Sequence, residues 1–276
     1  PEIVRATNRA GTVELATVTT TSLGDYSVAS GYAAANASIV WKGYTLSHDR
    51  SAVMQVDRRE ENETAGVLNA AKVASVFVKN HVVPEIDATR IAAIVKSAAT
   101  KKVVTSTNLA KDVILEEIGT GLDTIADNTG LDEGLTIYIN NAVYNLLRTT
   151  AEVKKTKDVS IGSRTINLAT MDIDGNQIVR IPSARMYHTL TYNTASSTAG
   201  FSGTGAVNFV IAAPKYAQGV VAFEAPKFIA KEVNQSYDAD MYAYRIFHDC
   251  FVPDQKVDGF YANIQTAIST ATNIPA

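Results

Sequence analysis

The sequence predicts an α+β protein on three observations: alternating β-branched stretches, one long run of apolar residues at helical spacing, and a short strand leading straight into a helix. Ala, Val and Thr are abundant, and aromatics make up only 8% of a chain that is 46% hydrophobic. Small and β-branched apolar residues suit sheets and close packing.

Residues 12–20 (TVELATVTT) and 37–46 (ASIVWKGYTL) read as two strands of a long hairpin. The connection from Ser22 to Tyr32 is rich in Gly and Ser and carries two tyrosines. A connection of that length with no core of its own is commonly mobile or functional. Residues 51–57 read as a further strand.

From Asn62, which can cap it, a helix is expected to run toward Ser97. Val67, Ala71, Ala74, Val78, Val82, Ile86, Ile91 and Val95 recur mainly at steps of three or four, the period of one helical face. Pro84 interrupts the run and leaves two readings, one kinked helix or two helices meeting near Val83. A continuous helix would be about 50 Å long, unusual for a compact enzyme domain.

Residues 108–127 look helical, ending near Gly130. Residues 135–140 read as a strand followed by a helix through Ala142 to Arg148. Two strands, 164–172 and 176–181, flank Asp174-Gly175, a strong hairpin signal. Residues 191–206 form a second Gly/Ser/Thr-rich loop before a strand at 207–212. Residues 241–251 and 256–261 read as two strands joined by Pro253-Asp254-Gln255.

The formal net charge is −3 and the pI about 5.9, so the molecule as a whole has no electrostatic reason to condense on nucleic acid or an anionic membrane. One cysteine, Cys250, excludes an intrachain disulfide and fits a reducing cytoplasm. No apolar run approaches the roughly 20 residues of a membrane span, and no signal-peptide pattern opens the chain.

The motifs of chemistry are missing. None of the four histidines has the helical spacing of a metal pair, and His248 and Cys250, two apart on a strand, lack a third ligand. Asp172 to Asn176 reads as a hairpin turn rather than a calcium loop, because its glycine comes too early and Ser183 stands where a bidentate glutamate belongs. Gly203-Thr204-Gly205 lacks the third glycine of a dinucleotide fingerprint, and neither a phosphate-binding loop nor a nucleophile elbow occurs. Lys154, Lys155 and Lys157 form a basic cluster that reads as a solvated helix end. The mixed-sign run Asp57-Arg58-Arg59-Glu60-Glu61 reads as a solvated or intersubunit salt-bridging surface rather than a catalytic carboxylate pair. No catalytic, cofactor or metal residue is assigned, and no enzyme is expected.

Several stretches then line up in order: Leu23-Gly24-Asp25-Tyr26, residues 46–57, residues 83–90, residues 135–139 with 144–147, residues 181–186, and residues 244–249 with 257–261. This order resembles the major capsid proteins of tailed bacteriophages over most of residues 13–262. The resemblance favours the single kinked helix. It implies an N-terminal arm (1–11), an extended-loop hairpin (12–50), a peripheral domain with a spine helix (51–99), an axial domain (100–240) and C-terminal strands returning to the peripheral domain (241–276).

The implied function is self-assembly into pentamers and hexamers of an icosahedral head that encloses double-stranded DNA without sequence-specific binding. The implied partners are copies of itself, portal and scaffolding proteins and, as further candidates, decoration proteins, with no membrane and no cofactor. The implied location is the virion, after assembly in the bacterial host cytoplasm.

The resemblance also implies sites. Leu23, Gly24, Asp25, Tyr26 and Tyr32 of the extended loop would contact a neighbouring subunit, and Asp57, Arg58, Arg59, Glu60 and Glu61 would bridge between subunits. Thr194, Ser196, Ser197, Phe201 and Ser202 would lie at the capsomer centre, in a segment from Tyr192 to Asn208 that carries no charge. Some shells of the family crosslink through a lysine and an asparagine. Lys42 is on a hairpin strand rather than the tip, so no crosslink is expected. An encapsulin-type nanocompartment shell is the nearest alternative reading, and an α+β hydrolase a remote one.

Overall fold

In the computed structural model, residues 4–6, 11–29, 31–64, 68–100, 104–106, 109–110, 113–130, 134–149, 157–161, 164–168, 172–173, 175–193 and 199–265 are described. Strands β1 (Val4–Ala6), β2 (Thr12–Thr20) and β3 (Ala37–Thr45) form one antiparallel sheet in that order. The long hairpin expected from the alternation is present, paired without a slip from Thr12↔Thr45 to Thr20↔Ala37.

Strand β4 (His48–Asp57) ends at Asp57, whose side chain caps α1 (Arg58–Glu63) by accepting from the Arg59 N–H at 2.8 Å. The expected cap, Asn62, therefore lies inside this short helix. The long helix starts later, at α2 (Ala70–Phe77), capped by Asn69 through the Lys72 N–H at 2.9 Å.

From α2 the chain passes through a π-helical turn, Val78–Val82, into α3 (Val83–Thr100) without reversing. Proline at position 84 cannot donate its nitrogen and crowds the preceding turn. The wide turn takes up the mismatch, with the Val83 N–H reaching five residues back to the Val78 carbonyl. The single interrupted helix is the correct one of the two readings.

Its buried stripe is carried by Val82, Ala88, Ile91, Ile94, Val95 and Ala98. Ala71 is exposed, contrary to expectation, because the inserted turn rotates α2 relative to α3; Ala74, Val78 and Ile86 are half-buried, and Val67 lies outside the described residues.

Next come β5 (Val104–Ser106), α4 (Ile114–Thr129), β6 (Thr136–Asn140) and α5 (Asn141–Thr149), then a separate hairpin of β7 (Lys157–Ile161) and β8 (Arg164–Leu168). Helix α4 ends at Gly130, at φ 90°. Strands β9 (Asp172–Ile173) and β10 (Asn176–Ile181) turn at Gly175, at φ 79°, so that hairpin forms as expected. Its first strand is shorter than expected, because β8 pairs back onto β7 instead. Lys157 is in β7 rather than at a helix end, and Lys154 and Lys155 lie outside the described residues.

The remaining strands are β11 (Tyr187–Asn193), β12 (Gly200–Ala212), β13 (Gln218–Ile229), β14 (Ala239–Phe251) and β15 (Phe260–Ile264). A central mixed sheet has the order β5-β15-β12-β6-β10-β9, with β11 paired to the first part of β12. Helix α3 covers one face, where Ile91, Val95 and Ala98 meet Val210, Phe260 and Ala262. Helices α4 and α5 cover the other, where Ile118, Ile125 and Leu147 meet Ile137, Phe209 and Ile211. A bulge between Val207 and Phe209 reverses the side-chain parity, so that Val207 and Val210 share a face. Gly121 of α4 is needed here, since a Cβ would sit 2.7 Å from both Ile211 and Tyr261.

A second sheet, β13-β14-β4, packs on the π turn and the start of α3 through Tyr244, Ile246, Val82 and Ile86. Strand pairing thus crosses the boundary expected at residue 240. β13 joins β14 and β4, whereas β15 joins the central sheet, because the turn at 254–259 redirects the chain between the two.

Candidate assembly surfaces

Among the described residues, the β2–β3 hairpin is held at its base. Val13, Leu15 and Leu46 are buried against Val220, Phe247 and Phe251, and Lys42 bridges to Asp254 at 2.6 Å. Farther out, Val18, Ile39, Val40 and Trp41 are all exposed. Val18 opposes Ile39 and Ala16 opposes Trp41, which places Ile39 and Trp41 on one face and Val40 on the other. A hairpin that is apolar on both faces has no side suited to water.

At its tip the expected contact residues are exposed, and the two tyrosines among them meet. Leu23 is 102% and Tyr32 93% exposed, Tyr26 is exposed, and the two tyrosine rings meet edge to face at 5.4 Å. Ser27 and Gly31 close the tip with backbone hydrogen bonds of 3.1 and 2.7 Å. Gly24 lets the two legs approach, since a Cβ there would lie 2.6 Å from that of Ala33, and Asp25 is exposed beside it. Sequence reasoning overlooked Ile39, Val40 and Trp41. Three apolar residues in a row, filling both parities of a strand, were the available signal.

The charged run is largely satisfied within the subunit. Asp57 caps α1, Arg59 pairs with Glu63 at 2.7 Å, Arg58 pairs with Asp238 at 3.0 Å, and Glu61 pairs with Lys231. These charges clamp α1 to the β13–β14 connection, which uses up pairing capacity assigned in sequence to a neighbour. Glu60 is exposed.

The expected loop at 191–206 is a correction. Tyr192 pairs with Phe201 and Thr191 with Ser202 in an antiparallel hairpin, so Phe201 and Ser202 are strand residues, while Thr194, Ser196 and Ser197 lie outside the described residues. The turn end of this hairpin, at Asn193 and Gly200, is tied to β4 and the spine. Arg50 of β4 donates to the Gly200 carbonyl at 3.1 Å and the Asn193 carbonyl at 3.4 Å, and the Tyr192 and Thr89 hydroxyls meet at 2.8 Å. Small polar residues here serve close strand pairing rather than a free loop.

The same junction gathers a cluster of polar and charged side chains. Arg50 donates to Glu85 at 2.6 Å, His48 lies 4.6 Å from the Tyr192 ring and 5.9 Å from that of His248, and the His48 Nε2 is 3.7 Å from Asp249. Burial pushes both imidazoles below the usual histidine range, with His48 also lowering His248. Burial pushes the Cys250 thiol up to about 11, so it stays protonated at neutral pH. Among the described residues, no group of three or more His, Cys, Asp or Glu is placed to hold a metal ion. No described helix is long and apolar enough to cross a membrane.

No family model and no curated protein matches the chain in sequence. Solved structures do match in shape. A capsid structure of the cyanophage P-SCSP1u aligns at TM-score 0.65 and 11% identity over 94% of this chain and 85% of that one. The mature capsid of bacteriophage PhiM1 aligns at TM-score 0.63 and 12% identity over 95% and 84%. An encapsulin complex from Synechococcus elongatus aligns at TM-score 0.52 and 11% identity over 97% and 86%. The hairpin, interrupted spine helix and two sheets therefore make up the fold of tailed-bacteriophage major capsid proteins, which an encapsulin shares.

Proposed function

We propose that this chain is a major capsid protein, a structural subunit without catalysis that assembles into pentamers and hexamers of an icosahedral phage head around double-stranded DNA. The observation that carries the reading is the outer β2–β3 hairpin, which exposes Val18, Ile39, Val40 and Trp41 with no core of its own. Isolated two-stranded hairpins are marginal in water, so this one gains its stability from a neighbouring copy. Leu23, Gly24, Asp25, Tyr26 and Tyr32 make that contact. Glu60 is the member of the charged run left to reach across a subunit boundary. Copies converge on an axis through an unattached end, and the β11–β12 hairpin is attached at its turn end through Asn193, Gly200 and Tyr192, so this reading assigns the capsomer centre away from Phe201 and Ser202.

Portal and scaffolding proteins, and decoration proteins on the outer surface, are the partners this reading brings, with assembly in the host cytoplasm and residence in the virion. Negative-stain microscopy of the purified chain tests it. Uniform icosahedral particles are expected, and a chain that stays monomeric under all assembly conditions overturns it. The encapsulin likeness supports a second reading, a nanocompartment. Particles recovered from the native source separate the two, since a head holds double-stranded DNA and a nanocompartment holds protein cargo.

A further inference from the structure

Two imidazoles face each other where the spine helix, the β13-β14-β4 sheet and the β11–β12 hairpin meet. His48 and His248 are direct cross-strand partners, His248 is only 3% exposed, and Tyr192 of the hairpin lies over His48. We propose that this pair is a proton-operated latch, which holds the β11–β12 hairpin against the spine at neutral pH and releases it on acidification.

Burial is the main bar to a charge on either ring, and each ring is the other's like-charged neighbour once both are protonated; the remaining charges around the pair are mixed in sign. Arg50 comes from β4, Arg90 and Lys96 from α3, and His81 of the π turn lines the same small cavity of about 50 Å³. Against Arg50, Arg90 and Lys96 stand Glu85 of α3 and Asp249 of β14. Glu85 is engaged by Arg50, and Asp249 accepts from the Ser47 N–H and hydroxyl and from the Cys250 N–H. On the β13 side the position opposite His248 is Val221, which carries no charge.

The first proton goes to His48, closer to Asp249 and to solvent. The second must enter a buried ring 5.9 Å from that cation. Water is what the charged rings lack, and it enters most readily by moving Tyr192. The β4–β14 ladder is continuous from Ala239↔Asp57 to His248↔His48 and resists opening, whereas the hairpin is held at this point by the Tyr192 hydroxyl and two carbonyls. The latch is a property of the single subunit and does not depend on the shell reading.

Hydrogen exchange with mass spectrometry on the full chain tests it, following residues 187–193 and 200–206 at pH 7.5 and 5.5 after correction for intrinsic exchange, with residues 208–212 as reference. In the wild type, hairpin exchange should rise several-fold at pH 5.5 relative to the reference. In His248→Gln that ratio should fall toward one. Should that variant fail to fold, the ring protons of the wild type give the answer by NMR, with His48 and His248 expected to titrate in two coupled steps below pH 6.5. Equal hairpin exchange at both pH values, a full response in His248→Gln, or both rings titrating at or above pH 6.5 would overturn the latch.

Discussion

Arg50 connects four elements from one strand position: it pairs with Glu85 of α3, hydrogen-bonds the last carbonyl of β11 and the first of β12, and lies 5.4 Å from the ring of Tyr192. Both charges of the pair are mostly shielded, with side-chain exposures of 21% and 13%. Replacing Arg50 by Met keeps the aliphatic stem but strands Glu85 and two carbonyls. Removing one partner of a buried pair costs about 3–5 kcal/mol, so with partial exposure a loss of about 3 kcal/mol is expected in urea denaturation, with an unchanged slope. Gly121 supplies a second case. Gly121→Ala should destabilise by about 1–3 kcal/mol through overpacking against Ile211 and Tyr261, despite the better helix propensity of alanine. Neither role was legible beforehand, because each depends on residues distant in sequence.

At the scale of elements, the two hairpins divide the legible from the illegible. The β2–β3 hairpin was readable because its alternation is local and its tip chemistry is plain. Deleting residues 24–34 should leave the thermal midpoint of the subunit within a few degrees of wild type, since the tip touches none of the buried clusters, while abolishing particles by microscopy. Normal particles from that deletion would refute the extended-loop assignment. The β11–β12 hairpin was misread as a loop, because Gly, Ser and Thr favour turns in isolation and pair as strands only when a partner edge is offered. Strand β13 is an exposed edge, and it is guarded by Pro226 in mid-strand and by a bulge between Val221 and Phe223. Proline on an edge blocks addition of another strand. Pro226→Val should therefore speed aggregation in light scattering while leaving the fold intact by circular dichroism.

At the scale of the whole molecule, the histidine junction couples stability to pH. Both folded imidazoles sit below the unfolded value near 6.5, so the unfolded chain binds protons first as the pH falls. The stabilisation is therefore full only well above pH 6.5 and is lost as the pH falls through that value and below it. Urea midpoints measured at pH 7.5, 6.5 and 5.5 should fall more across the last interval than across the first, and His248→Gln should flatten that fall.

The sequence by itself determined the α+β class, the long hairpin, the interrupted helix, the strand–helix unit and the absence of recognisable catalytic motifs. These features rest on spacing and turn chemistry, which act over a few residues. Only the tertiary structure decided that β13 and β15 go to different sheets, that residues 187–206 pair as a hairpin, that Asp57 to Glu61 are largely paired within the subunit, and that His48 meets His248. The 187–206 hairpin is local in its own pairing but is held by Arg50 and Thr89, 150 and 103 positions from their partners in it, and the His48–His248 pair joins residues 200 positions apart. A pairing partner at that distance leaves no mark on the local pattern from which it could be read.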